Sequence, residues 1–236
     1  MPEPTVPAFE RSRHRLVWQV LATLDRDFLA DARCWFAGGT RIVLALDEYR
    51  ESVVVDFLCA DIAGYRTIRS AITPSAFGPV FAHPPELMRE IRADRYGIRT
   101  WLRVEGRPLE LEIVSEGRVT LNGERDPAFP VDVLDRPSCV VEKLLANSDR
   151  GRDAAAEARD LIDLAFMANG WVDVDLPVAL SAAESAYGAS VRRDLAFALA
   201  RFSDGAVRER CLASLAITDE ATLDAGLVRL AALIDD

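Results

Sequence analysis

The sequence predicts an α+β fold, a mixed β-sheet with flanking helices followed by an all-helical C-terminal half. Three observations lead there. Apolar residues recur at helical spacing up to residue 32. From there to residue 121, short β-branched and alternating runs are separated by Gly and Pro turn signals. Beyond Asp126-Pro127-Ala128-Phe129-Pro130 every segment is Ala- and Leu-rich and amphipathic. That change of character divides the chain into an α/β domain over 1–130 and a helical domain over 131–236.

Val17, Val20, Leu21, Leu24 and Phe28 share one helical face, which predicts a helix over about 7–32. Cys34 to Ala37 is a short apolar strand ended by Gly38-Gly39, and a brief helix over Thr40 to Leu46 follows. Ser52 to Leu58 is β-branched and apolar apart from Asp56, so it reads as a buried strand. A helix over Ala63 to Ile72 stops at Thr73-Pro74. Leu87 to Leu121 holds three or four strands, punctuated by Tyr96-Gly97, Glu105-Gly106-Arg107-Pro108 and Glu116-Gly117. The helical half reads as segments near 137–148, 153–167, 177–187, 190–202, 205–216 and 220–234.

Composition narrows the function classes. Half the residues are hydrophobic, yet no apolar run reaches the ~18 residues of a membrane span, and Met1-Pro2-Glu3-Pro4 lacks the order of a secretory signal. Cys34, Cys59, Cys139 and Cys211 form no CxxC pair, and His14 and His83 are the only histidines, which argues against zinc sites and a Ser-His-Asp triad. The expectation is a cytoplasmic protein with no membrane partner. A net charge of −10 counts against a broad nucleic-acid surface, though a local basic groove is compatible with it. Of 28 basic residues, every one except Lys143 is arginine, so Lys143 is either a chance survivor of that bias or a position where arginine does not serve.

Four elements carry chemistry. In Phe36-Ala37-Gly38-Gly39-Thr40 a strand ends in two glycines that open a helix, which is either a tight turn or a phosphate cradle of backbone N–H groups and helix dipole. Asp56, alone in its β-branched run, needs a cationic partner, an arginine or a metal. In Leu109-Glu110-Leu111-Glu112-Ile113-Val114 two carboxylates share one strand face; beside the Asp56 strand, three carboxylates meet and call for Mg²⁺, whereas on an edge they are a solvated face. Last, Lys143, Asn147 and Arg150 lie on one helical face, and Asp160 and Asp163 lie at i, i+3, suited to a triphosphate-binding lysine oriented by acids or to an interhelical salt bridge.

Taken together these stretches resemble the AbiEii/AbiGii nucleotidyltransferase toxin family of the polymerase-beta-like nucleotidyltransferase fold. The resemblance runs through Gly38-Gly39-Thr40, Glu48-Tyr49-Arg50-Glu51-Ser52-Val53 with Asp56-Phe57, Gly64-Tyr65-Arg66 and Glu112-Ile113-Val114. It is strongest in 143–150 and 159–164, and covers about Cys34 to Met167. It implies Mg²⁺-dependent transfer of a nucleoside monophosphate from an NTP to an RNA (tRNA in some members) or protein acceptor, and a cognate antitoxin protein as partner. It implies that Gly38, Gly39 and Thr40 hold the triphosphate, that Asp56 and Glu112 bind Mg²⁺, and that Lys143, Asp160 and Asp163 bind and orient the nucleotide, so that the helical domain completes the site.

Two departures matter. The family strand usually reads Asp-x-Asp before Phe, but here Val54 takes the first acid's place; the third-acid strand usually has Lys two residues before its Glu, and here that place is Glu110. Either Glu110 replaces the missing acid from the neighbouring strand, or the chain is a catalytically degenerate nucleotide-binding or interaction module.

Overall fold

The computed structural model describes residues 7–153, 156 and 158–235. The segment Met1-Pro2-Glu3-Pro4 and part of the helix expected over 153–167 lie outside the described residues. The chain separates into two compact units, Met1–Leu44 with Glu51–Asp135, and Ala45–Arg50 with Arg136–Asp236.

The first unit is built on a mixed sheet. Its strands are β1 (Cys34–Ala37), β2 (Val54–Cys59), β3 (Glu86–Leu87), β4 (Arg92–Ala93), β5 (Gly97–Val104), β6 (Arg107–Ser115), β7 (Gly123–Glu124) and β8 (Val133–Leu134), in the order β3-β5-β6-β2-β1-β8-β7 with β4 also on β5. β2 runs parallel to β6 and antiparallel to β1. Alternation in β2 and β6 puts Val55, Phe57, Leu109, Leu111 and Ile113 in the core and leaves Val54, Asp56, Leu58, Glu110, Glu112 and Val114 half-buried on the opposite face. On the core side Phe36 packs on Phe57 and Phe129, and Trp18 on Phe129, with ring centroids 5.8 to 5.9 Å apart.

The single helix expected over 7–32 is two, α1 (Ser12–Thr23) and α2 (Arg26–Asp31). Local capping overrides the periodicity: the Asp25 carboxylate accepts from Phe28 N–H at 2.9 Å and starts a new helix, while Leu24 bridges to Phe81. Helix α3 spans Gly38–Ala45, and α4, over Ile62–Ala71, is capped by Asp61 on Gly64 N–H. Four strands lie between residues 86 and 115, within the three or four expected; β5 and β6 carry the alternating pattern, whereas β3, β4, β7 and β8, two residues each, are too short to leave a periodic signal, and the last two fall beyond the expected stretch.

The second unit is helical: α5 (Arg136–Arg150), α6 (Arg159–Gly170), α7 (Leu176–Tyr187), α8 (Ser190–Phe202), α9 (Gly205–Leu215) and α10 (Glu220–Asp235). α6 is buried from Asp160 through Ala168 and is its central element. α10 approaches it closely at Gly226, where a Cβ would fall 1.9 Å from the Ala165 carbonyl oxygen. Among the described residues no helix is long and apolar enough to cross a membrane.

Candidate functional site

The structure gathers the sequence-marked residues into two clusters, one in each unit. In the first, strand register decides the arrangement. Ala37 pairs with Asp56, Asp56 with Glu112, and Val54 with Glu110. Asp56 and Glu112 are therefore lateral neighbours on one face of the sheet, ~4.8 Å apart across the ladder. Glu110 stands beside the position that lacks the family's first acid. Glu112 is not bare: Arg99 Nε, on the adjacent β5, donates to its carboxylate at 2.5 Å.

Gly38 sits directly over Asp56. Its φ of +71° is left-handed, and a Cβ there would lie 2.3 Å from Asp56 Oδ2. The glycine lets the backbone of the β1–α3 turn close on the carboxylate. A Gly38→Ala variant meets both the clash and the φ penalty, so a loss of about 2–4 kcal/mol in stability is expected, read as a lowered urea midpoint at unchanged slope. An unchanged midpoint would show that the turn can relax away from Asp56. Gly39 follows as the second residue of α3, and the first turn of that helix presents backbone N–H groups. Thr40 plays a different part from the one its position suggests: its hydroxyl is buried, donates to the Val54 carbonyl at 2.6 Å and lies 2.9 Å from Ser52 Oγ. Its side chain ties α3 to β2.

Asp56 and Glu112 offer hard oxygen donors, and two carboxylates completed by phosphate oxygens and water is a usual way of holding Mg²⁺. They fit such an ion as a pair; among the described residues no three His, Cys, Asp or Glu form a metal-holding group.

The second cluster is the lysine network. Asp163, on α6 and fully buried, accepts from Tyr49 OH at 2.6 Å and from Arg50 Nε and Nη2, both at 2.7 Å, and pairs with Lys143 Nζ at 2.7 Å. Lys143, on α5, also donates to Asp160 at 2.9 Å, and Arg150 grips Asp160 at 2.6 and 2.8 Å. Among these five charged groups three cations meet two carboxylates. Burial alone would push both acids up, but Lys143 with Arg150 on Asp160, and Arg50 with Lys143 on Asp163, hold both below the usual carboxylate range. Burial works against the Lys143 ammonium as well, and Asp160 and Asp163 overcome it, so its pKa is raised. Asn147, one turn on, is 2 % exposed, and its side-chain N–H₂ finds no hydrogen-bond partner among the described residues.

Tyr49 and Arg50 are the functional-site residues without a role in the sequence reading. They belong to the short Ala45–Arg50 segment of the second unit. Their signal was the aromatic–Arg pair within Glu48-Tyr49-Arg50-Glu51, and its use is visible only once Arg50 forks onto Asp163 and the Tyr49 ring stacks on Phe166 at 3.8 Å. Asp47 and Glu48 lie in the same segment with left-handed φ of 54° and 52°.

Beside the first cluster, Arg89, Glu90, Arg92, Arg99, Thr100, Trp101 and Glu110 line an open groove of about 530 Å³, three arginines against two glutamates, with the Arg89 guanidinium 5.8 Å from the Trp101 ring. Arg89, Arg92 and Arg99 give this groove the local basic character that the net charge of −10 leaves room for.

A family model described as Nucleotidyl transferase AbiEii toxin, Type IV TA system, matches residues 19–225. Two solved structures from Helicobacter pylori share the fold. One, a candidate nucleotidyltransferase, is 17% identical with a TM-score of 0.53, covering 97% of this chain and 95% of that one. The other, JHP933, is 18% identical with a TM-score of 0.54, covering 97% and 92%. MenT4, a nucleotidyltransferase toxin from Mycobacterium tuberculosis, is 16% identical with a TM-score of 0.47 over 96% and 86%. No curated protein matches the sequence. With most of its length inside the family model, the chain belongs to the AbiEii nucleotidyltransferase toxin family.

Proposed function

We propose that this protein transfers a nucleoside monophosphate from an NTP to the hydroxyl of an RNA acceptor with Mg²⁺ bound at Asp56 and Glu112. The observation that carries the reading is the Gly38–Asp56–Glu112 alignment. A left-handed glycine turn that opens a helix closes on a carboxylate, which has a second carboxylate as its lateral neighbour. Family membership implies a nucleotide substrate and an antitoxin partner.

The backbone N–H groups of Gly38, Gly39 and Thr40 receive phosphate oxygens at the α3 N-terminus. Lys143 offers the nucleotide a compact positive charge, and Asp160 and Asp163 hold that ammonium charged. A bound Mg²⁺ supplies charge neutralisation for the attacking and leaving oxygens. Arg99, by pairing with Glu112, fixes that carboxylate's orientation. Glu110, beside Val54, is the side chain next in reach to stand in for the missing acid. The acceptor's unpaired bases stack along Trp101, and Arg89 and Arg92 take its phosphates, which gives an acidic protein a local basic path.

Incubation with each labelled NTP, Mg²⁺ and total RNA tests the reading. Label in RNA with one NTP, lost on chelation and in Asp56→Ala, is expected; nucleotide binding without label in any acceptor would instead support a degenerate binding module. Removing the platform in Trp101→Ala, or reversing charge in Arg92→Glu, is expected to raise the RNA KM about tenfold, consistent with 1–3 kcal/mol per stacked base, with the NTP KM unchanged. An equal effect on both substrates would show that the groove serves the fold and not the acceptor.

A further inference from the structure

Cys34 and Cys59 are the first residue of β1 and the last of β2, and they are direct partners in the antiparallel ladder. The neighbouring pair, Arg33 and Ala60, is hydrogen-bonded, Ala60 N–H donating to the Arg33 carbonyl at 3.1 Å. Hydrogen-bonded and non-hydrogen-bonded pairs alternate, so Cys34 and Cys59 form a non-hydrogen-bonded pair, with Cα atoms ~4.5 Å apart and side chains on the same face. That spacing lies at the short end of what a disulfide accepts, ~4.4–6.8 Å with a preference near 5.5–6 Å. Further along that face Phe36 and Phe57 are in ring contact, which confirms the register.

We propose that Cys34 and Cys59 are a redox-sensitive dithiol that closes reversibly to an intrachain disulfide and thereby disturbs the strand pair carrying Gly38 and Asp56. The two thiols are not equivalent. Cys59, whose Sγ reaches the Ala32 and Asp61 carbonyls at 3.2 and 3.5 Å at the end of its strand, is lowered by its Cys34 neighbour, whereas burial raises Cys34 well above its ordinary value; Cys59 is therefore the attacking sulfur and Cys34 the resolving one. With hydrogen peroxide as oxidant, Cys59 sulfur bonds one oxygen as the O–O bond breaks, and the other oxygen leaves as water. Cys34 then gives up its proton and attacks the sulfenic sulfur; the S–S bond forms, the S–O bond breaks and a second water leaves. Two thiols lose two electrons and two protons, and one peroxide becomes two waters.

Both thiols are buried in strands that are paired on both sides, so an oxidant reaches them through local opening at this end of the β1–β2 pair. Closing the bridge draws the pair from ~4.5 Å toward the wider preferred spacing. Three residues along the same ladder, Ala37 pairs with Asp56 under Gly38, where the space beside Asp56 Oδ2 does not admit even a methyl group. A shift of the strands is therefore transmitted to the carboxylate. This last step rests on the function proposed above; the chemistry of the dithiol does not.

The native full-length protein is treated with hydrogen peroxide, quenched, alkylated in denaturant and digested with trypsin without reductant. Peptides 34–41 and 51–66 are expected joined and two hydrogens lighter, returning to separate peptides with dithiothreitol, while Cys139 and Cys211 are alkylated. In the same sample, labelled-NTP transfer is expected to fall by up to about a hundredfold and recover on reduction, the size of loss a ~1 Å displacement produces. The Cys34→Ser variant is expected to keep its transfer under peroxide. Unjoined peptides, or Cys59 found as sulfinic acid without a bridge, would overturn the dithiol. Joined peptides with unchanged transfer would overturn its link to Asp56. A reduced protein that transfers no label at all condemns the proposed function and leaves the peptide result to stand on its own.

Discussion

Replacing Asp163 with alanine is expected to remove about 3–5 kcal/mol of stability and to abolish transfer, because it strips one carboxylate from two buried cations at once. Arg50 and Lys143 are 4 % and 7 % exposed, and neither can recover hydration when Asp163 goes. Lys143→Met separates structure from function. Asp163 keeps Arg50 and Tyr49, and Asp160 keeps Arg150, so the loss of stability is expected to be smaller than for Asp163→Ala. Transfer is nonetheless expected to fall by ~10³ or more, since the compact charge for the triphosphate is gone. Urea midpoints and single-turnover labelling read the two effects independently. If Lys143→Met is as active as the wild type, the lysine is an interhelical bridge and no more. The pH dependence has a definite sign: Asp160 and Asp163 have folded pKa values below their unfolded ones, so their contribution is complete above the unfolded value of ~3.9 and is lost as pH falls toward the folded values. Asp163→Ala is expected to flatten the acid limb of the stability curve, and an unchanged limb would contradict the network's role.

What the sequence made legible follows the range of the signal. Strand β1 and the α8 span of Ser190–Phe202 were readable to the residue because hydrophobic spacing is local. The break at Leu24–Asp25 was missed because one side-chain cap outweighed five well-spaced apolar residues. The site behaved likewise. Asp56, Glu112 and Lys143 stood out as residue types in the wrong company, a carboxylate in a β-branched run and a lysine in an arginine-rich chain. Arg50 did not, since one arginine among so many has no contrast, and its partner is 113 positions away along the chain. Register was equally invisible: nothing local says that Glu110 pairs with Val54 and Glu112 with Asp56, and a slip of one residue would have turned both glutamates into the core.

That register makes the chain's departure from its family a matched pair. Where relatives usually carry an acid at the position of Val54 and a lysine at that of Glu110, this chain carries an apolar residue and an acid, and the two positions are direct partners across the β2–β6 ladder. In the function proposed above, one carboxylate serves either way and has changed strands. Glu110→Gln is therefore expected to lower transfer about a hundredfold, ~2.7 kcal/mol of barrier, with the urea midpoint unchanged because the side chain is half-buried and borders the open groove. The double variant Val54→Asp/Glu110→Lys returns the acid to β2 and the base to β6, and is expected to recover activity to within about tenfold of the wild type. Val54→Asp alone is expected to gain nothing, because it sets two carboxylates side by side, with about 4 kcal/mol of repulsion at 4 Å and an effective dielectric of 20. A jump in rate from Val54→Asp alone, with Glu110→Gln silent, would identify a site that lost its first acid without replacement, and the glutamate would then be only a partner for the groove's arginines.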